Sequence, residues 1–281
     1  MSYKTILVHL DSSPRASTRL EFALQLAFTH EAHLIGLFAP FQPNPNLTSL
    51  YGVAAAPDFI NQLEALRTAQ STLLERQFRS GIARQGLAGE WRSTEEYANH
   101  IVPLHARHAD LVIAGQFERN AQASFVAENF CENLVLSSGC PTLFLPYAGT
   151  FPVVGKHVMV AWDGSREATR AVHDALPFLQ GAARVTVVTA NALPPKEPRQ
   201  RIPGADIAAV IARHGVKVEI VEVEGADGRH IGDFLLSQAA DLGADLLVMG
   251  AYGHPRWQEI IVGGVTRTLF ESMTIPVLMA H

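Results

Sequence analysis

Cysteine is almost missing from this 281-residue chain, which holds only Cys131 and Cys140. Two are too few for a disulfide framework, and no other cysteines complete a zinc-type cluster, so the reading is two buried or idle thiols in a reducing compartment. Excess positive charge is missing too. The 22 Lys and Arg against 27 Asp and Glu give a formal charge of −5 and a pI near 6.2. That leaves no broad basic surface and excludes a nucleic-acid partner on electrostatic grounds, although a small anion could still meet a local backbone site. Long apolar runs are also missing. No stretch approaches the ~20 residues that span a bilayer, and Met1-Ser2-Tyr3-Lys4 leads directly into a strand-like segment without a leader-like apolar region. The expectation is a cytoplasmic protein with no membrane partner.

What the chain does have is 48% hydrophobic residues against 17% charged, enough for one large core or two ordinary ones. Internal repetition decides between them. An apolar run closing in aspartate occurs twice, as Thr5-Ile6-Leu7-Val8-His9-Leu10-Asp11 and as His157-Val158-Met159-Val160-Ala161-Trp162-Asp163. A second landmark, Ala109-Asp110-Leu111-Val112-Ile113-Ala114-Gly115, is matched by Ala244-Asp245-Leu246-Leu247-Val248-Met249-Gly250. A third, Cys140-Pro141-Thr142-Leu143-Phe144-Leu145, is matched by Ile275-Pro276-Val277-Leu278-Met279-Ala280.

Asp110 to Pro141 spans 31 positions and Asp245 to Pro276 again 31, so the later part of each half superimposes without a gap. Asp11 to Asp110 spans 99 against 82 from Asp163 to Asp245, which leaves 17 extra residues in the first half. The Pro-rich 40–57 segment accounts for them as a long loop or lid leading into a helix. The repeats imply two domains, 1–148 and 154–281, joined by a short segment holding Gly149, Pro152 and Gly155.

Within each half, short buried apolar strands alternate with helix-period segments. The second half predicts strands near 156–162, 184–190, 216–222, 245–249 and 276–279. Ala168, Ala171, Val172, Ala175, Leu176 and Leu179 share one helix face there, with Ser165 or Asp163 as the N-cap. The fold class is therefore α/β: two tandem open, mostly parallel five-stranded sheets with helices on both faces, Rossmann-like in plan. Such sheets bind ligands in a crevice at the carboxyl ends of their strands.

One segment lies at that end in the second half. After the fourth strand the chain reads Gly250-Ala251-Tyr252-Gly253, then nine residues, then Gly263-Gly264-Val265-Thr266 opening a helix. Glycines allow left-handed backbone and close approach, so amides of the strand end and the helix start can converge on an anion. The bland alternative, turn and helix-start glycines, suits any Gly-x-x-Gly alone. Two glycine pairs between a strand and a helix, at the expected crevice, favour the cradle.

In these residues the chain resembles the universal stress protein family, whose nucleotide-binding members carry Gly-x2-Gly-x9-Gly-Ser/Thr after the fourth strand and an aspartate closing the first. The resemblance runs through both halves and is specific in the second. It implies a stress-response binding protein with an ATP site formed by Ala161, Trp162, Asp163, Ala190, Gly250, Gly253, His254, Gly263, Gly264, Val265 and Thr266. ATP, with Mg, is the cofactor it implies. It also implies antiparallel pairing of the last strand of each half, giving an intramolecular pseudo-dimer, with a homodimer of whole chains compatible. Gly264 departs from the family by replacing a hydroxyl residue; Thr266, two positions on, is the nearest substitute, and a weakened phosphate site is equally compatible.

The first half departs further. A 135-residue offset puts Gly115 under Gly250, but Glu118 under Gly253, and Glu128 and Asn129 under Gly263 and Gly264. Carboxylates there would repel phosphate, so this half is read as unable to bind ATP in the usual way. For Asp11 helix capping is the better explanation, whereas for Asp163 capping and nucleotide contact stand level. His105 and His108 share a helix face, but His100 does not join them, so no metal site is read there. Gly155-Lys156 precedes a strand and so is no P-loop. No nucleophile elbow or paired-carboxylate arrangement indicates a dedicated enzyme. Beside the nucleotide-binding module stand three other readings: a scaffold protein without nucleotide, a slow ATPase at the same site, and a non-nucleotide ligand under the 40–57 loop.

Overall fold

The structure is a computed structural model that describes residues 2–43, 57–116, 125–126, 129–191, 204–224, 231–253 and 264–281. Its contacts divide the chain into two compact units, Ser2–Ser138 and Gly139–His281.

In the first unit β1 (Thr5–Leu10) pairs in parallel with β2 (His33–Phe38) and with β5 (Leu111–Gly115), and β2 pairs with β4 (Gly89–Ser93). The helix Ala16–His30 lies against β1, β2 and β5 through Ala16, Leu20, Ala23, Leu24 and Ala27, an apolar stripe at helical spacing. The long helix Pro57–Gln85 follows the 40–57 segment, as the composition implied; residues 44–56 of the Pro-rich loop lie outside the described residues. It packs Phe78 against Trp91 of β4, ring centroids 5.7 Å apart, over Gly36, where a Cβ would come within 2.9 Å of both rings. A short ribbon of β3 (Gln42–Pro43) and β6 (Phe125–Val126) has no counterpart in the sequence pattern.

In the second unit the sheet runs β10-β9-β8-β11-β12-β7. Its strands are β7 (Thr142–Leu145), β8 (His157–Ala161), β9 (Arg184–Asn191), β10 (Val218–Glu224), β11 (Leu246–Gly250) and β12 (Val277–Ala280). All pairs are parallel except β7 with β12. Val158, Met159, Val160 and Leu246 to Met249 are buried, as parallel strands covered on both faces require. The anticipated single helix after β8 is two, Arg166–Asp174 and Leu176–Gly181. Pro177 lacks an amide hydrogen and its ring collides with the preceding turn, so the first helix cannot continue through it, while the apolar face 168, 171, 172, 175, 176, 179 is buried as expected.

The repeat landmarks have structural reasons. Asp110 accepts the amides of Lys4 and Thr5 at 2.7 and 2.9 Å, and Asp245 accepts those of Gly155 and Lys156 at 2.7 and 3.1 Å. Each aspartate ties the start of its repeat's first strand to the start of the strand it precedes, β1 to β5 and β8 to β11. The last strands have a self-complementary register: Leu143 lies opposite Leu278, its own repeat counterpart, with Phe144 opposite Val277 and Thr142 opposite Met279. β7, the last strand of the first sequence repeat, is thereby counted with the second unit.

Candidate functional site

β8 pairs with β9 on one side and β11 on the other, so successive crossovers leave it in opposite directions. Open α/β sheets bind ligands in a crevice at such a switch point, here beyond the carboxyl ends of β8 and β11. Its near wall is the turn after β8. The Asp163 carboxyl accepts the Ser165 amide at 2.9 Å, Gly164 takes a left-handed φ of 75°, and Ser165 Oγ accepts the Ala168 amide at 3.0 Å as the N-cap. Asp163 is exposed and Ala161 and Trp162 are half-buried, with the Trp162 amide bonded to the Val188 carbonyl at 2.9 Å. Ala190 follows two residues on, in β9.

The far wall is the Gly250–Gly253 turn, where Tyr252 adopts a left-handed φ of 59°. Both glycines are in close contact with the start of the helix Arg166–Asp174. A Cβ at Gly250 would come within 2.4 Å of the Ala168 nitrogen and 2.6 Å of the Glu167 carbonyl carbon; one at Gly253 would meet Glu167 Oε2 at 2.8 Å and Ser165 Oγ at 2.9 Å. Packing therefore demands glycine at both positions, a reason independent of any ligand. The helix Gly264–Ser272 begins beyond, with Gly264 exposed, Val265 half-buried and Thr266 buried. His254 and Gly263 lie outside the described residues. Asp163, Ser165, Gly250 and Gly253 are thus brought together around one helix start.

Glu167 is a member of this wall that sequence reasoning passed over. It is only 4% exposed, Oε1 accepts the exposed Arg166 guanidinium at 3.1 Å, and Oε2 has no hydrogen-bond partner among the described residues. Its one sequence signal is an acidic residue beside the apolar face of Ala168, Ala171 and Val172, which a first-turn glutamate shows anyway.

The matching crevice of the first unit is filled by its own side chains. Asp11 is not the N-cap of the helix Ala16–His30, contrary to expectation: the cap position is Arg15, without a side-chain bond. Asp11 accepts the Ser13 amide at 2.8 Å and forms a buried ion pair with Arg19 at 2.9 Å. Arg19 Nε donates to the His9 carbonyl at 2.7 Å, and its guanidinium lies over Gly115, where a Cβ would meet Nη1 at 2.0 Å. Burial alone would raise the Asp11 carboxyl, but Arg19, then His9 and Ser13, hold it below its ordinary value. His9 is wholly buried. It donates from Nε2 to the Ala39 carbonyl at 3.0 Å and packs against Phe130 and Phe41, at 4.9 and 5.5 Å between centroids. Burial, reinforced by Arg19 against the opposing pull of Asp11 and Ala39, pushes it down to about 4. Arg19 was also missed, though a cation in step with Ala16, Leu20 and Ala23 marks the position. Glu118 and Glu128 lie outside the described residues; Asn129 takes a left-handed φ of 63° just before the helix Phe130–Ser138.

The second unit is a doubly wound α/β domain with its crevice at the switch point. Residues 155–281 match the model of the universal stress protein family. The chain is 29% identical over 180 residues to Universal stress protein Slr1230 of Synechocystis sp. (strain ATCC 27184 / PCC 6803 / Kazusa), an alignment covering 60% of this chain and 57% of the relative, so less than two thirds of the relative's length is spanned. Among solved structures, a universal stress protein from Archaeoglobus fulgidus DSM 4304 matches with a TM-score of 0.71 at 16% identity over 98% of this chain and 95% of the other. A second, from Pseudomonas aeruginosa UCBPP-PA14, matches with a TM-score of 0.60 at 18% identity over 99% and 93%. At such identities the likeness is one of fold. Among the described residues no helix is long and apolar enough to cross a membrane.

Proposed function

We propose that the protein is an adenine-nucleotide-binding stress protein whose single ATP site is the crevice of the second unit. The observation that carries this reading is the Gly250–Gly253 turn, which brings bare backbone to the carboxyl end of β11 in the domain that matches the family model, ahead of the helix that starts at Gly264. Amides at that helix start favour phosphate. Asp163, exposed at the end of β8, is placed to meet the ribose or an accompanying Mg²⁺. Among the described residues no three His, Cys, Asp or Glu side chains gather to hold a metal, so Mg²⁺ is assigned to the nucleotide's own phosphates. The first unit is assigned no nucleotide, because Arg19, Asp11, His9 and Phe130 occupy its crevice. The self-complementary register of β7 and β12 supports an intramolecular pseudo-dimer, since each strand meets its own repeat counterpart.

A scaffold role without nucleotide is favoured by two observations: Gly264 lacks the family's hydroxyl, and packing alone explains Gly250 and Gly253. Calorimetric titration with ATP separates the two. The expected result is saturable binding of about one ATP per chain, abolished in Gly253→Glu and Gly263→Glu, which copy the first half's charges into the second. No heat with the wild type, in a folded sample, selects the scaffold.

A further inference from the structure

We propose that the first unit carries an acid-operated latch: a proton on the His9 imidazole releases Phe41 and the β3–β6 ribbon from the crevice that the neutral ring keeps shut. The latch belongs to the first unit alone and does not depend on whether the second binds nucleotide.

Three observations carry it. His9 is fully buried, and of the two rings packed on it Phe130 is buried while Phe41 is half-exposed, so Phe41 is the side chain that must leave for the imidazole to reach water. The second observation is the charge around the ring. Asp11, two residues on, and Arg19, from the helix Ala16–His30, face it and are already paired with each other at 2.9 Å. The end of β2 brings the Ala39 carbonyl, the helix Phe130–Ser138 brings Phe130, β5 is uncharged from Leu111 to Gly115, and the helix Ala98–Ala106 buries Ala98, Val102 and Ala106. Among the described residues, then, a protonated His9 would be a second buried cation beside a single carboxylate, which folding tolerates only at high cost. The third is mechanical. Phe41 directly precedes the β3–β6 ribbon, which holds by two residue pairs, whereas β1 and β2 beneath it hold by six. The ribbon is the weaker element and opens first. Burial and Arg19, against the pull of Asp11 and Ala39, keep the closed ring at about 4, and an opened ring returns to about 6.5. The open form therefore takes the proton that the closed form refuses, and the closed-to-open ratio falls roughly thirtyfold from pH 7.5 to pH 5.

The test is residue-resolved amide hydrogen exchange of the full chain at pH 7.5 and pH 5, corrected for the intrinsic pH dependence of exchange, with the His9 ring titrated by NMR. The reporter is the Ala39 amide, bonded to the Leu10 carbonyl at 3.1 Å beside the latch; the control is the Trp162 amide, bonded to the Val188 carbonyl at 2.9 Å in the second unit. In the wild type, Ala39 is expected to lose roughly thirtyfold in protection at pH 5 while Trp162 keeps its own. His9→Phe, which cannot take a proton, is expected to hold Ala39 at its pH 7.5 protection. Phe41→Ala tests the latch with His9 intact: Ala39 exchanges readily already at pH 7.5, and the His9 ring titrates near its ordinary 6.5. Constant protection of Ala39 in the wild type overturns the proposal, as does an equal loss at Trp162, which would be unfolding of the whole chain. So does the same acid loss in His9→Phe, or a His9 ring that still titrates near 4 in Phe41→Ala.

Discussion

At the end of its first strand each unit turns an aspartate back onto the amide two residues on: Asp11 to Ser13 at 2.8 Å, Asp163 to Ser165 at 2.9 Å. From that shared turn the two crevices part. Eight residues after Asp11 comes Arg19, which neutralises it, bonds the His9 carbonyl and fills the space over Gly115. Eight residues after Asp163 comes Ala171, a buried methyl that brings no cation to Asp163, which stays exposed. One repeat closes its ligand end with an internal ion pair and aromatic rings, and the other leaves polar groups facing the crevice. Arg19 in place of the small Ala171, together with His9 and Phe130, thus distinguishes the packed first crevice from the second.

The sharpest way to break this contrast is Arg19→Met. It keeps length and apolar volume but leaves Asp11 buried without its cation, and the loss of one partner of a buried pair costs about 3–5 kcal/mol. Urea unfolding of the variant should show that loss; a change under about 1 kcal/mol would mean the pair is not the keystone of the first crevice.

The second test uses acid. His9 is held at about 4, below its ordinary 6.5, so the unfolded chain binds a proton there that the native one refuses. Stability then falls as pH drops from about 6.5 towards 4, by up to about 3 kcal/mol, and this contribution levels off below 4. The depressed Asp11 adds a further loss on going below its ordinary carboxylate range. His9→Phe should flatten the profile between pH 6.5 and 4; an unchanged slope would assign the acid sensitivity elsewhere.

The smallest effect sharpens the comparison from the other side. Only the second unit's helix has a side-chain N-cap, Ser165 to the Ala168 amide. Ser165→Ala is expected to cost about 1 kcal/mol, measured by thermal unfolding, whereas Ser13→Ala, at the matching place before an uncapped helix, should cost only a few tenths.

Much of the architecture was legible because its signals are local or periodic. The equal spacing of 31 from Asp110 to Pro141 and from Asp245 to Pro276 reflects aspartates that tie down the first strand of each unit, followed by strands that pair with each other. Leu246 to Met249 read as a buried strand because a parallel strand covered on both faces needs an unbroken apolar run. The split at Ala175 is also written in the sequence, in Pro177, which interrupts an otherwise continuous apolar face. The candidate site was legible only in its backbone: Gly250 and Gly253 announce close approach, but not what approaches. Their neighbour proves to be the helix start at Glu167 and Ala168, 80 and more positions earlier in the chain.

By itself, then, the sequence determined the repeat, the alternation of strands and helices, and the half in which glycines permit a cradle, because periodicity, proline and glycine act through the chain's own covalent geometry. Tertiary structure alone decided that Arg19 reaches Asp11, that Asp11 is a buried partner and not a helix cap, and that Glu167 is buried against Gly253. Those facts depend on which groups meet across strands far apart in sequence, and on the water excluded when they do.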